Sequence, residues 1–185
     1  MECFVDLDVQ RNPEIPMWVV LNGLYECLHR ALAPDNSAGI AVAFPGYSST
    51  SLGRTMRLMG GRMELQGLIE SEWLGGIRDY VRIGPVLEIP LNARHRALRR
   101  VQAKSSPERL RRRLSKRHGL DESQARTRIP DDAIEKVRLP FVQLRSRTTR
   151  QTFPLFLRLG PDEPAPVEGA FNAYGLSQVA TIPWF

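Results

Sequence analysis

Basic side chains crowd one stretch of this chain. From Arg94 to Arg117 there are 11 lysines and arginines and a single acid, Glu108, a local charge of +10. The other 15 basic residues face 19 acids, so the remainder is mildly acidic although the chain as a whole carries +6. Solubility needs no such segregation, whereas a phosphate backbone rewards it. Within the stretch, Arg109, Arg112, Arg113, Lys116 and Arg117 recur at three- and four-residue spacing, which lines one face of a helix. Like charges so spaced repel until an anion neutralises them. A solvated face answered by the protein's own acids is the bland alternative, and here the nearby acids are too few. Just upstream, Arg100 and Gln102 would point the same way on an extended segment. Arg matches the O6/N7 edge of guanine and Gln the N6/N7 edge of adenine.

Histidine is the side chain suited to proton transfer near neutrality, and the chain has three, His29, His95 and His118. With Cys3 and Cys27 they form no zinc spacing, and two buried reduced thiols are expected. Asp6 and Asp8 share a strand face and offer the one carboxylate pair for Mg²⁺, although the outward face of an edge strand explains them as well. No cofactor is implied.

These groups need elements to hold them. Glu2–Val9 alternates and reads as a half-buried strand. Pro16–Leu32 is a helix with Met17, Val20, Leu21, Leu24 and Leu28 inward, bounded by proline at each end. Ile40–Phe44, Arg54–Met59 and Tyr80–Ile83 read as strands and Met63–Glu70 as a helix. The order β-α-β-β-α-β is the ferredoxin-like pattern. A break near Pro85–Pro90 divides the chain into residues 1–90 and 91–185. The fold class is α+β: an N-terminal ferredoxin-like domain and a smaller, divergent α+β domain carrying the arginine helix. Ser106, Pro107 and Glu108 suit that helix's start and Gly119 its stop. Asp131-Asp132 reads as another helix start. Leu139–Ser146 and Thr152–Leu159 are paired strands, Pro161–Pro166 is a loop, and the aromatic tail is expected to pack. No apolar run approaches the ~18 residues of a membrane span, and the start is not a signal peptide, so a cytoplasmic location without membrane contact is expected.

The run Arg100-Val101-Gln102-Ala103-Lys104-Ser105-Ser106-Pro107-Glu108-Arg109-Leu110-Arg111-Arg112-Arg113-Leu114, followed by Lys116-Arg117-His118, closely resembles the repeat-processing endoribonuclease of type I-F CRISPR systems. Leu139-Pro140-Phe141-Val142, Leu144-Arg145-Ser146, Tyr174-Gly175-Leu176-Ser177 and Pro183-Trp184-Phe185 continue the likeness, and His29 sits in a matching helix. The resemblance implies a protein that binds the hairpin of the CRISPR repeat and cuts the precursor RNA at the 3′ base of the stem without metal. It implies 5′-hydroxyl and cyclic phosphate ends, a retained product, and association with the other subunits of the interference complex. It places His29, Ser146 and Tyr174 in the catalytic constellation. It also places Arg100 and Gln102 at the purines at the foot of the stem. Lys104, Arg109, Arg112, Arg113, Lys116, Arg117 and His118 fall in its RNA-binding block, and Phe153 on the terminal base pair. Thr148 stands where related sequences tend to carry a second serine; it keeps a hydroxyl. An A-form major groove is normally too narrow to read, and a short stem escapes this through its open ends.

Metal-free RNA cleavage uses the substrate's own 2′-hydroxyl, held in line with the leaving 5′-oxygen, with a base for its proton. His29 lies in the last turn of its helix, where the dipole favours a cationic ring. It acts either as a base through its neutral form or as an acid or charge stabiliser; the base is the reading carried forward. Ser146 would hold the 2′-oxygen and Tyr174 would orient His29. The rival readings are a non-cleaving hairpin-binding subunit, a metal-dependent nuclease and a basic DNA-binding regulator.

Overall fold

The computed structural model describes residues 1–33, 39–102, 107–130, 137–146 and 149–185. Its architecture is α+β with two antiparallel sheets. The described residues divide by contact into a larger unit, Met1–Val101 with Leu139–Phe185, and a smaller one, Gln102–Arg138.

In the larger unit β1 (Cys3–Val9), α1 (Met17–Leu32), β2 (Ala41–Ala43), β3 (Thr55–Gly60), α2 (Arg62–Glu70) and β4 (Val81–Ile83) follow in the order read from the periodicity, with a 3₁₀ turn at Gly75–Tyr80. The sheet order is β2-β3-β1-β4, and a short β5 (Leu87–Glu88) also pairs with β1. Strand β1 is therefore central, not an edge. Its alternation buries Val5, Leu7 and Val9 in the core that α1 covers with Val20, Leu21, Leu24 and Leu28. On its other face, Asp6 takes two hydrogen bonds from Arg57, at 2.7 and 2.9 Å. Asp8 takes one from the Thr55 hydroxyl (2.6 Å) and one from Arg82 (2.7 Å). Burial pushes the Asp8 carboxyl up, but these bonds and the charges of Arg82 and Arg54 prevail and hold it below the usual range. Cross-strand cations thus answer both carboxylates. Cys3 and Cys27 are buried and free.

The second sheet has the order β7-β8-β6-β9, formed by β6 (Arg94–Val101), β7 (Phe141–Arg145), β8 (Thr152–Glu163) and β9 (Ile182–Trp184). Strand β8 runs on through Pro161, where a loop was expected. Between the pairs Arg96↔Asp162 and Leu98↔Leu159, Gly160 and Pro161 together oppose Ala97 alone, a bulge that asks no ladder N–H of the proline. Most of the tail packs, with Phe171, Leu176 and Ile182 buried, but the terminal Phe185 stays 38% exposed, its ring edge-on to Phe4.

In the smaller unit, α3 (Pro107–His118) and α4 (Glu122–Arg128) pack together. Gly119 stops α3 at φ +64°, its N–H bonded to the Ser115 carbonyl at 2.8 Å. Helix α4 opens on a reciprocal cap: the Asp121 carboxylate accepts from the Gln124 N–H, and the Gln124 side chain accepts from the Asp121 N–H. Among the described residues, no helix is long and apolar enough to cross a membrane.

Candidate active site and basic helix

Helix α1 ends with one face turned to the turn 172–176. Tyr25 and His29, one helical turn apart, take hold of consecutive carbonyls of that turn. The Tyr25 hydroxyl donates to the Tyr174 carbonyl at 2.8 Å, and His29 Nδ1 lies 2.9 Å from the Ala173 carbonyl. A carbonyl oxygen only accepts, so Nδ1 carries the proton. In the neutral ring, Nε2 is then left with its lone pair. The imidazole is half-buried and stacks on Tyr174, with 3.9 Å between centroids and 9° between planes.

The turn is stitched in its own right. Asn172 Oδ1 accepts from the N–H of Tyr174 (2.9 Å) and of Leu176 (3.4 Å), and Gly175 passes through φ +66°. The Gly175 carbonyl accepts from the Val42 N–H at 2.9 Å, which anchors the turn to β2. A Cβ on Gly175 would meet Val42 Cγ2 at 2.5 Å, so glycine is required twice over, by conformation and by space. Tyr25 is fully buried. Burial pushes its hydroxyl's pKa far up, Tyr174 adds to the rise, and Arg100 pulls the other way.

Arg100, near the end of β6, puts its guanidinium 5.8 Å from the ring centres of both Phe153 and Tyr174. Its carbonyl accepts from Gln178 at 3.3 Å. His29, Tyr174, Arg100 and Phe153 thus form one connected group. Tyr25 belongs to it too, a residue missed by sequence reasoning; its signal was a hydroxyl four residues before His29 on an otherwise apolar helix face.

Ser146 follows β7, whose Gln143 N–H is bonded to Asn22 of α1 at 2.9 Å. Its Oγ accepts from the Thr149 N–H at 3.2 Å, and its backbone bonds Gln151 and Arg150. No hydrogen bond joins it to His29 or Tyr174. The hydroxyl proton stays available to an incoming acceptor. Thr148 and Lys104 lie outside the described residues, as do Ser106 and Asp131-Asp132. Gln102 follows β6 and is exposed.

On α3, Arg112, Arg113, Lys116, Arg117 and His118 are exposed. None of the four Arg and Lys side chains has a carboxylate partner among the described residues. Arg109 is exposed too. Arg111 is turned the other way: it is 8% exposed and its Nε donates to the Ile129 carbonyl at 2.7 Å, which ties α3 to the end of α4. No three His, Cys, Asp or Glu side chains converge among the described residues.

Fold and site define a class: a small α+β protein with a row of exposed cations on one helix and a histidine held by a backbone carbonyl. The family model described as "CRISPR-associated protein (Cas_Csy4)" matches residues 4–185, and the chain belongs to that family. It is 41% identical over 187 residues to the CRISPR-associated endonuclease Cas6/Csy4 of Pseudomonas aeruginosa (strain UCBPP-PA14), covering all of both chains. It is 38% identical over 185 residues to the protein of the same name from Escherichia coli (strain UTI89 / UPEC), again over both full lengths.

Proposed function

We propose that this chain is an endoribonuclease that binds the hairpin of the CRISPR repeat and cuts the precursor RNA at the 3′ base of the stem, needing no metal ion. The relatives' names support an endonuclease. The observation that carries the chemistry is the His29 hydrogen bond to the Ala173 carbonyl, which fixes the tautomer and presents Nε2 as a base. Nε2 takes the proton of the substrate 2′-hydroxyl. The 2′-oxygen then bonds to phosphorus and the bond to the 5′-oxygen breaks, giving a 2′,3′-cyclic phosphate and, once the leaving oxygen is protonated, a 5′-hydroxyl. Ser146 donates its hydroxyl proton to hold the 2′-oxygen in line. Tyr174 fixes the plane of the imidazole, and Phe153 stacks on the terminal base pair.

The same reading gives α3 the stem. Its exposed cations contact the RNA and set affinity, while Arg100 and Gln102 choose the purines at its foot. Lys104 and Thr148 join the RNA-binding set in this proposal. The product stays bound, and the protein remains on the guide RNA beside the other subunits of the interference complex.

The test is cleavage of a repeat hairpin in EDTA, with a matched hairpin bearing 2′-hydrogen at the cut nucleotide. Cutting of the first to a cyclic phosphate and none of the second is expected. Cutting of the deoxy substrate would remove the 2′-hydroxyl mechanism, and loss of activity in EDTA would restore a metal. Tight binding without cleavage of either would leave a hairpin-holding subunit.

A further inference from the structure

The second sheet has a solvent face that the function above leaves without a task. Alternation along β7 and β8 sends Val142, Leu144, Leu155 and Leu157 into the core. Phe141, Arg145, Phe156 and Arg158 therefore emerge together on the other side, with Arg99 and Val101 of β6 beside them. Arg99 stands directly opposite Arg158, and Val101 opposite Phe156. Phe141 pairs with Phe156 across the strands, the rings edge-on with centroids 5.4 Å apart. Neighbouring residues on β6 part company here: Arg100 leans to Phe153 and Tyr174, whereas Arg99 leaves by the opposite face.

The side chains of Arg99 and Arg158 are exposed, and neither guanidinium has a carboxylate or hydrogen-bond partner among the described residues. Like charges directly opposite one another in a sheet destabilise it. Arg145, also exposed, is steadied by its Nε bond to the Arg150 carbonyl at 3.2 Å. None of the outward residues of β7 and β8 between Arg145 and Arg158 is acidic. Phe141 is 50% exposed on the same surface. Flat aromatic rings interleaved with unneutralised guanidinium groups on an open sheet are what single-stranded nucleic acid takes, bases on rings and phosphates on cations. From Arg158 to the end of β8 beside Arg145 is about 20 Å of strand, room for a few nucleotides.

We propose that this face binds single-stranded RNA continuous with the hairpin, on the 5′ side of the stem. That side is the one left after a cut at the 3′ base, so the choice of strand rests on the proposed cleavage. Arg99 and Arg158 hold adjacent phosphates and Phe141 with Phe156 offers the stacking surface. An acidic protein segment is the competing occupant; it explains the charges but gives the rings no partner.

The test measures binding of the full-length protein and an R99A/R158A variant to polyglutamate and to four non-cleavable RNAs: the hairpin alone, the hairpin with a ten-nucleotide 5′ extension, the hairpin with a ten-nucleotide 3′ extension, and a bare twelve-nucleotide single strand. The variant should bind the extended hairpin about tenfold more weakly, with its salt slope reduced by about 1.4, the share of two single-strand phosphates. Its affinity for the hairpin alone should be unchanged. Removing the like-charge pair should leave the melting temperature the same or higher. Phe141→Ala should weaken the extended RNA without altering the slope. Equal loss on hairpin and extended RNA, no loss on either, or an effect only with a 3′ extension would overturn the proposal. So would an R99A/R158A loss seen with polyglutamate and not with RNA. Should the wild type ignore the hairpin altogether, the proposed function fails, while weaker binding of the bare strand by the variant still decides for this face.

Discussion

The imidazole of His29 lies flat against the phenol of Tyr174, 3.9 Å away and 9° from parallel. The Nδ1 bond to the Ala173 carbonyl fixes rotation within the ring plane, and the stack fixes the plane itself. Both constraints come from one turn, so that turn sets where Nε2 points. If Tyr174 acts by orientation, Tyr174→Phe keeps the stack and should cleave near the wild-type rate. Tyr174→Ala should slow single-turnover cleavage roughly 10- to 100-fold with hairpin affinity intact. A Phe variant as slow as the Ala variant would mean that the hydroxyl itself takes part.

His29→Ala removes the proposed base. Cleavage should fall by roughly 10²- to 10⁴-fold, the range of a positioned proton-transfer group, while hairpin binding persists. Rates at saturating RNA and a separate binding titration distinguish the two. Loss of both together would reassign His29 to folding.

Much of the frame is legible in the sequence because local physics dictates it. The alternation of β1, the apolar stripe of α1 and the glycine stop of α3 are all short-range signals. Strand β6 was not legible: charged Arg94, Arg96, Arg99 and Arg100 mask its period, and the opposing bulge disturbs its register so that the adjacent Ala97 and Leu98 are both buried. Helix α4 was silent to periodicity because it buries only Ala125; its Asp121–Gln124 cap was the readable sign. The candidate site was legible only as residue names. Its geometry comes from contacts as long-range as Tyr25 to Tyr174, 149 positions apart, which no local pattern encodes.

Gly175→Ala tests the turn without touching a proposed catalytic group. The new methyl meets Val42 Cγ2 at 2.5 Å and the backbone stays at positive φ. A destabilisation of more than about 1 kcal/mol is expected, and the turn must shift to relieve the clash. Circular dichroism should show a folded protein whose cleavage rate has dropped, with binding retained. Wild-type kinetics would show that the turn does not position the chemistry.

Arg113 is exposed on α3 with no carboxylate partner among the described residues. Arg113→Ala should weaken hairpin binding and lower the slope of log affinity against log salt by about 0.9 for each duplex phosphate contact given up. The single-turnover rate at saturating RNA should hold. An unchanged slope would take Arg113 off the phosphate backbone.

Tyr25 ties stability to alkaline pH. Its hydroxyl is fully buried and its pKa raised, first by burial. In the unfolded chain the phenol titrates near ~10. Below that value it is neutral in both states and contributes no linkage. Above it, the unfolded chain sheds the proton and the folded protein does not, so unfolding gains and stability falls as pH rises. By pH 11 this costs the wild type about 1.4 kcal/mol. Tyr25→Phe escapes that loss but gives up the bond to the Tyr174 carbonyl, a deficit of about 1 kcal/mol at every pH. The variant should therefore be the weaker protein at pH 8 and draw level near pH 11 in urea unfolding. The other tyrosines are common to both proteins and cancel in the comparison. A gap that stays constant or widens with pH would mean that the buried hydroxyl ionises in place, and that the turn beside His29 is looser than this hydrogen bond implies.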